Sequence, residues 1–219
     1  MIRRLGQALG FAAALLVAVM NAGCLSFGES PMAQTYYILE DAQRAQEVPA
    51  WVPIRRTLLI AASPANPLAD SRALVFSRIQ GQRAHYQFAA WTQRPSQRIS
   101  ELLAQRFALQ AMFTSTALLG SGVTGDLLLS LGLEDFYHDL TAVPGEARVA
   151  IEAQLTDRDT HTLLARERFT ASSPVEQENA ASAAAALGVS LGKVFDALVP
   201  WAARSVQKQH GRLDAARVP

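Results

Sequence analysis

The sequence is poor in the groups that most protein chemistry needs. It has a single cysteine, Cys24, and only two lysines, Lys193 and Lys208, beside 18 arginines. One cysteine excludes an intramolecular disulfide and any cysteine-cluster metal site. Two lysines leave few candidates for a catalytic amine. Net charge is also scarce, with 20 Lys+Arg against 19 Asp+Glu, so the chain lacks the basic excess that a nucleic-acid-binding face requires. The histidines at 85, 138, 161 and 210 are scattered, and no nucleophile–base pair stands at a strand end or elbow. No enzyme is expected. What is plentiful is apolar surface: half of the 219 residues are hydrophobic, enough for one domain with extras and too much for wholesale disorder.

Arg3 and Arg4 precede an uninterrupted apolar run, Phe11 to Met20. Ten residues span about 15 Å as helix, half a bilayer core, so the run reads as a signal h-region rather than a membrane span. It ends in Asn21-Ala22-Gly23-Cys24, which resembles a bacterial lipobox, with Asn21 where Leu is usual. The sole cysteine therefore falls where a diacylglyceryl group would be attached. Leu25 follows it instead of Asp, which by resemblance to Gram-negative sorting rules favours the outer membrane. The reading divides the chain into a signal peptide (1–23), an anchored tether (24–35), a domain (36–206) and a loose tail (207–219).

Along the domain, Tyr36–Leu39, Thr57–Ala61 and the pair Ala73–Ile79/Ala84–Trp91 read as strands, the last two as a hairpin turning at Gly81. Ser96 is placed to cap a helix running to about Phe113, with Ile99, Leu102, Leu103 and Phe107 on one face. Leu127, Leu129, Leu131 and Leu133 alternate along a strand to about Asp139. Ala147, Val149, Ile151, Ala153 and Leu155 give the next strand a buried face and leave Glu146, Arg148, Glu152 and Gln154 on a wet one. A strand Thr162–Ala171 follows, on which Arg166 and Arg168 share a polar face. Ser173-Pro174-Val175-Glu176 predicts a capping box opening a second helix, with Leu187, Leu191, Val194, Phe195 and Leu198 in one stripe and Pro200 kinking or ending it. The order βββ(β)-α-βββ-α predicts an α/β two-layer sandwich, a mixed sheet with two amphipathic helices packed on it.

Three constellations invite a chemical reading. Gly120, Gly122 and Gly125 satisfy G-x-G-x-x-G, but in the order helix, glycines, strand, which gives a flexible loop rather than a dinucleotide site. Glu134, Asp135, His138 and Asp139 resemble a metal cluster, yet alternation lets at most two converge, with His161 as an outside contributor. A solvated strand end is the expectation, so charge reversals at His138, Asp139, Asp157 and Asp159 should leave the fold intact. No cofactor and no metal are expected. The aromatics of the 84–91 hairpin, Tyr86 and Phe88 on one face and Trp91 on the other, read either as core or, where exposed, as a partner or lipid surface, with Tyr86 and Trp91 the candidates for partner binding.

Cys24 after its signal segment, Tyr36-Tyr37-Ile38-Leu39, the hairpin ending Tyr86-Gln87-Phe88-Ala89-Ala90-Trp91, Pro95 with the following helix, and the Leu-rich strand into Glu134-Asp135-Phe136 together resemble the ABC-type transport auxiliary lipoproteins, which include PqiC-like proteins. The resemblance implies a non-enzymatic lipoprotein at the periplasmic face of the outer membrane. Its partners would be an MCE-domain subunit and an ABC permease/ATPase complex moving lipids or hydrophobic compounds, with room for a homo-oligomer. The alternative is a periplasmic lipid chaperone whose own cavity holds an acyl chain.

Overall fold

The computed structural model describes residues 33–43 and 53–215, with side chains through residue 208; Cys24 and the signal segment lie outside them. The strands are β1 (Thr35–Tyr37), β2 (Ile54–Pro64), β3 (Ala73–Ser77), β4 (Ala84–Trp91), β5 (Phe113–Leu118), β6 (Leu127–Asp139), β7 (Glu146–Asp157) and β8 (Thr162–Pro174). Helix α1 (Pro95–Leu109) follows β4, and α2 (Ala180–Ala215) closes the chain. The order ββββ-α-ββββ-α gives one mixed eight-stranded sheet with two helices on it.

β6 organises the sheet. Its Leu residues at 127, 129, 131 and 133 are all buried, so the strand must be covered along its length. One edge pairs antiparallel with β7 from Leu127↔Asp157 to Asp139↔Glu146, and β7 pairs in turn with β8. The other edge forks. β2 runs parallel to it from Leu58↔Leu127 to Pro64↔Leu133, and β3 takes over at Phe76↔His138. Between them a bulge at Leu133/Asp135 interrupts the ladder, where the amides of Ala65 and Asn66 donate to Leu133 O. The bulge shifts the side-chain parity of everything beyond it. β5 flanks β2, and β4 with β1 extends from β3.

Both helices lie on the face formed by Leu58, Ile60, Leu129, Leu131, Val149, Ile151 and Leu155. The stripes read from sequence, Ile99/Leu102/Leu103/Phe107 and Leu187/Leu191/Val194/Phe195/Leu198, are all buried there. Arg106 of α1 joins the two helices through Asp196 Oδ1 at 2.6 Å. The same guanidinium receives a strap from the N-terminal side: Nε and Nη2 meet both oxygens of Asp41 at 2.7 and 2.6 Å. Arg98 Nε donates to Leu39 O at 2.9 Å. The strap crosses α2 where a Cβ on Gly188 would stand 2.9 Å from Glu40 O and one on Gly192 would stand 3.0 Å from Gln43 Cβ.

Four local expectations are corrected. Ser96 does not cap α1; its own amide donates to Asp70 Oδ1 at 2.8 Å, so the cap comes from the 65–72 loop, and Pro95 occupies the first turn. The helix stops at Leu109, not Phe113, because Ala111 turns left-handed at φ +47° and the chain enters β5, whose exposed Thr114 and Ser115 hid it from a hydrophobic pattern. Pro200 does not end α2, which runs on to Ala215 and takes in most of the expected tail; its missing amide costs one bond in a helix otherwise held by packing. Ser173 and Pro174 belong to β8, and the true α2 cap is Asn179, whose Oδ1 accepts from Ser182 N at 2.8 Å.

The last correction is testable. Asn179→Ala is expected to cost about 0.5–2 kcal/mol, the range for an N-cap. Ser173→Ala removes a buried hydroxyl that has no hydrogen-bond partner and should be neutral or stabilising. Urea unfolding of both variants decides; a larger loss at Ser173 than at Asn179 contradicts the assignment.

Candidate functional site

The sequence candidates on the 84–91 hairpin do not form a surface. Trp91 is 2% exposed and packs on Phe136 at 5.6 Å between ring centroids. β1 and the helix layer cover the end of β4 that the sequence left ambiguous. Tyr86 is half-buried against Phe76, and its hydroxyl lies 2.7 Å from His138 Nδ1. The other ring nitrogen of His138 lies 2.7 Å from Pro144 O, which can only accept, so Nε2 carries the proton and Tyr86 donates to Nδ1. Burial and Glu178 push Tyr86 up to about 12, which keeps it a donor.

His138 is 0% exposed because the bulge carries it inward. Charge reversal there is a core lesion, not a surface edit. Asp139 accepts from Thr141 N and Oγ1 and forms an ion pair with Arg148, Nε lying 2.9 Å from Oδ2. Asp157 accepts from Arg56 Nη1 at 2.8 Å and from the amides of Asp159 and Thr160, and the Arg56 hydrogen bond holds it at about 2. Asp159 adds a second contact to Arg56 at 3.3 Å. The expectation that reversals at these acids spare the fold is therefore withdrawn. The glycine stretch is exposed from Leu119 to Thr124 and held at its C-terminal end. Gly125 lies over Leu59, its carbonyl accepts from Arg158 Nη1 at 2.7 Å, and Asp126 Oδ2 accepts from Thr57 N at 2.6 Å.

Burial pushes the pKa of His138 below its ordinary 6.5. The unfolded chain then takes up this proton first as pH falls. The contribution of neutral His138 is whole above about pH 6.5 and declines as pH falls toward the folded-state pKa. Melting temperatures between pH 8 and pH 5 should therefore fall more steeply for wild type than for His138→Gln. Parallel slopes would refute the assignment.

The open surface is the other face of the sheet, which no helix among the described residues covers. Strand register sets its rows: Leu59–Leu128–Thr156–Leu163, then Ala61–Ser130–Gln154–Arg166, then Ser63–Gly132–Glu152–Arg168, then Asp135–Ala150–Thr170 and Tyr137–Arg148–Ser172. The middle rows are small residues flanked by charge. Two open grooves, of about 520 and 500 Å³, meet at Tyr137 and Arg148; one extends over Ala150 to Thr170 and Ser172, the other toward Gln80, Gly81 and Arg83. Arg83 stacks on the Tyr137 ring at 3.7 Å and reaches Asp135 at 3.3 Å.

In three of the ion pairs along the rim the arginine is the more exposed member. Arg148 is 51% exposed over Asp139 at 9%, Arg166 58% over Glu152 at 24%, and Arg168 54% over Glu134 at 30%. The carboxylates act as posts that hold guanidinium groups upright, and each of the three arginines keeps unshared N–H donors toward solvent. Such a face can bind by hydrogen bonds and shape rather than by net charge. Sequence reasoning saw Arg148, Arg166 and Arg168 only as a wet face. The stacking of Arg83 on Tyr137 joins residues 54 positions apart and left no local signal.

Residues 37–199 match the family described as ABC-type transport auxiliary lipoprotein component. Protein XCC0632 from Xanthomonas campestris, of the family DUF330, superposes with a TM-score of 0.72 at 22% identity, covering 80% of this chain and 99% of its own. A second crystal structure, of an uncharacterised protein, gives 0.59 at 12% identity, with 80% and 99% covered. At these identities the two structures speak for the fold alone. No curated protein matches the chain. With the matched segment spanning the sheet and most of both helices, the chain belongs to the ABC-type transport auxiliary lipoprotein family.

Proposed function

We propose that the protein is an auxiliary component held by a lipid on Cys24 at the periplasmic face of the outer membrane. It would serve an MCE-type ABC system that moves lipids or hydrophobic compounds, by docking to its partners rather than by catalysis. The observation that carries the reading is the division of the sheet. Both helices and both apolar stripes lie on one face, while the opposite face offers small residues, open grooves and upright arginines. Polar, grooved surfaces with unshared donors are the material of wet protein interfaces. The 11 residues from Leu25 to Thr35 reach about 35 Å when extended, so an anchored domain would patrol a shell near one membrane.

Membrane fractionation with intact-mass analysis tests the anchor: wild type should carry acyl mass and sediment with outer membrane, and Cys24→Ser should be soluble and folded. Equal fractionation without acyl mass ends the anchoring reading. Pull-down with the MCE subunit of such a system tests the docking. Arg148→Ala should weaken capture by about tenfold, roughly 1.4 kcal/mol. Stoichiometric lipid retained by the delipidated protein in native mass spectrometry would favour the chaperone reading instead.

A further inference from the structure

Among the described residues the sheet ends in three unpaired edges, and they are not equal. β1 is three residues long and β5 six, whereas β8 runs for 13 and pairs on one side only. A long regular edge is usually blunted, because its free N–H and C=O groups are a template for another strand. On β8 the blunting is confined to one end, where Lys193 Nζ of α2 donates to Ser172 O at 2.8 Å. That bond also fixes the geometry. The N–H and C=O of one strand residue point to the same side and alternate along the strand, so if Ser172 points outward, Thr170, Arg168 and Arg166 do too. All three are exposed, and no backbone bond outside the β7 ladder engages them. Arg166 and Arg168 lean inward onto Glu152 and Glu134, leaving the backbone edge uncovered. Behind it, Phe169 packs edge-on against Trp201 at 5.4 Å and holds the strand in place.

We infer that β8 is a docking edge that takes an added β-strand from a partner protein, with the ladder made to Arg166, Arg168 and Thr170. The added strand is specified by charge. Residues opposite an edge residue share its face, so an incoming segment would set its alternate side chains beside Arg166 and Arg168. Acidic residues two apart fit there and take the N–H donors that Glu152 and Glu134 leave unshared. A second copy of this chain fits poorly, because antiparallel pairing of two β8 strands about Glu167 sets Arg166 opposite Arg168. Strand addition gives affinity through the main chain and specificity through alternate side chains. The inference rests on the docking reading above and adds the edge and the chemistry of the strand.

The test is an NMR titration of the soluble Cys24→Ser chain with a short blocked peptide alternating Val and Glu, taken to about 1 mM. Amide shifts are expected at Arg166, Arg168 and Thr170, with dissociation about tenfold weaker when Lys replaces Glu in the peptide. Thr170→Pro removes an outward amide that the inner ladder does not use, a place where edge strands tolerate proline; it should abolish the shifts, and Thr170→Val should keep them. Should Thr170→Pro fail to fold, the peptide N-methylated on its pairing side does the same work from the ligand and should not bind. No binding, binding that ignores N-methylation, or equal binding of the Lys peptide overturns the inference. So does a wild-type dimer in sedimentation that Thr170→Pro dissolves, since a second copy would then hold the edge. If these fail while the MCE subunit is still captured, the docking reading survives without this edge.

Discussion

Asp41→Ala is expected to destabilise the domain by about 3–5 kcal/mol, the usual cost of removing one partner from a buried ion pair. Arg106 is 4% exposed and gives Asp41 two of its three charged contacts, at 2.7 and 2.6 Å. Without Asp41 the guanidinium keeps only Asp196, whose side chain is 33% exposed. Two buried donors then lose their acceptors, and water has little access to replace them. Denaturant unfolding should show a lower midpoint at an unchanged slope, the signature of lost stability without a changed denatured state. The double change Asp41→Leu/Arg106→Leu should cost less than Asp41→Ala, because it removes the stranded charge along with its partner. A loss below about 1 kcal/mol for Asp41→Ala would mean that Asp196 alone can hold Arg106, and the strap would be ornamental to stability.

Trp91→Ala should cost about as much, 3–5 kcal/mol, by leaving a cavity against Phe136. The measurement also separates two readings of the hairpin. A docking residue would lose partner binding with stability intact. A core residue loses stability, and any loss of binding tracks the unfolded fraction. Thermal unfolding beside capture at low temperature distinguishes them. An unchanged midpoint with lost capture would return Trp91 to the surface.

The two helical stripes and the alternation of β7 could be read from sequence because each repeats a burial period many times within one element. Legibility failed where one element depends on another far away. Trp91 is core because β1 and the helix layer arrive over β4. His138 is core because a single bulge inverts the strand that carries it. Asp70 caps α1 from 26 residues upstream, and Ser173 offered a false cap because β8 continues three residues beyond its patterned part. For the site, the sequence placed Arg148, Arg166 and Arg168 on a polar face. It could not show that less exposed carboxylates pair with them, since those partners come from β6 and β7. Aromatics in a hairpin are weak evidence of a surface when the neighbouring strands are unknown.

The strap across Gly188 and Gly192 has a kinetic consequence. Its seat is made by Arg106 and by the two glycines of α2, so it does not exist until the last element of the chain has been made and packed. Contacts between Asp41 and the Gly192 turn span most of the domain sequence, the kind of long-range closure that forms late. A chain that emerges N-terminus first must therefore hold its opening segment undocked through the whole of its synthesis. The segment that opens the domain is among the last to find its place.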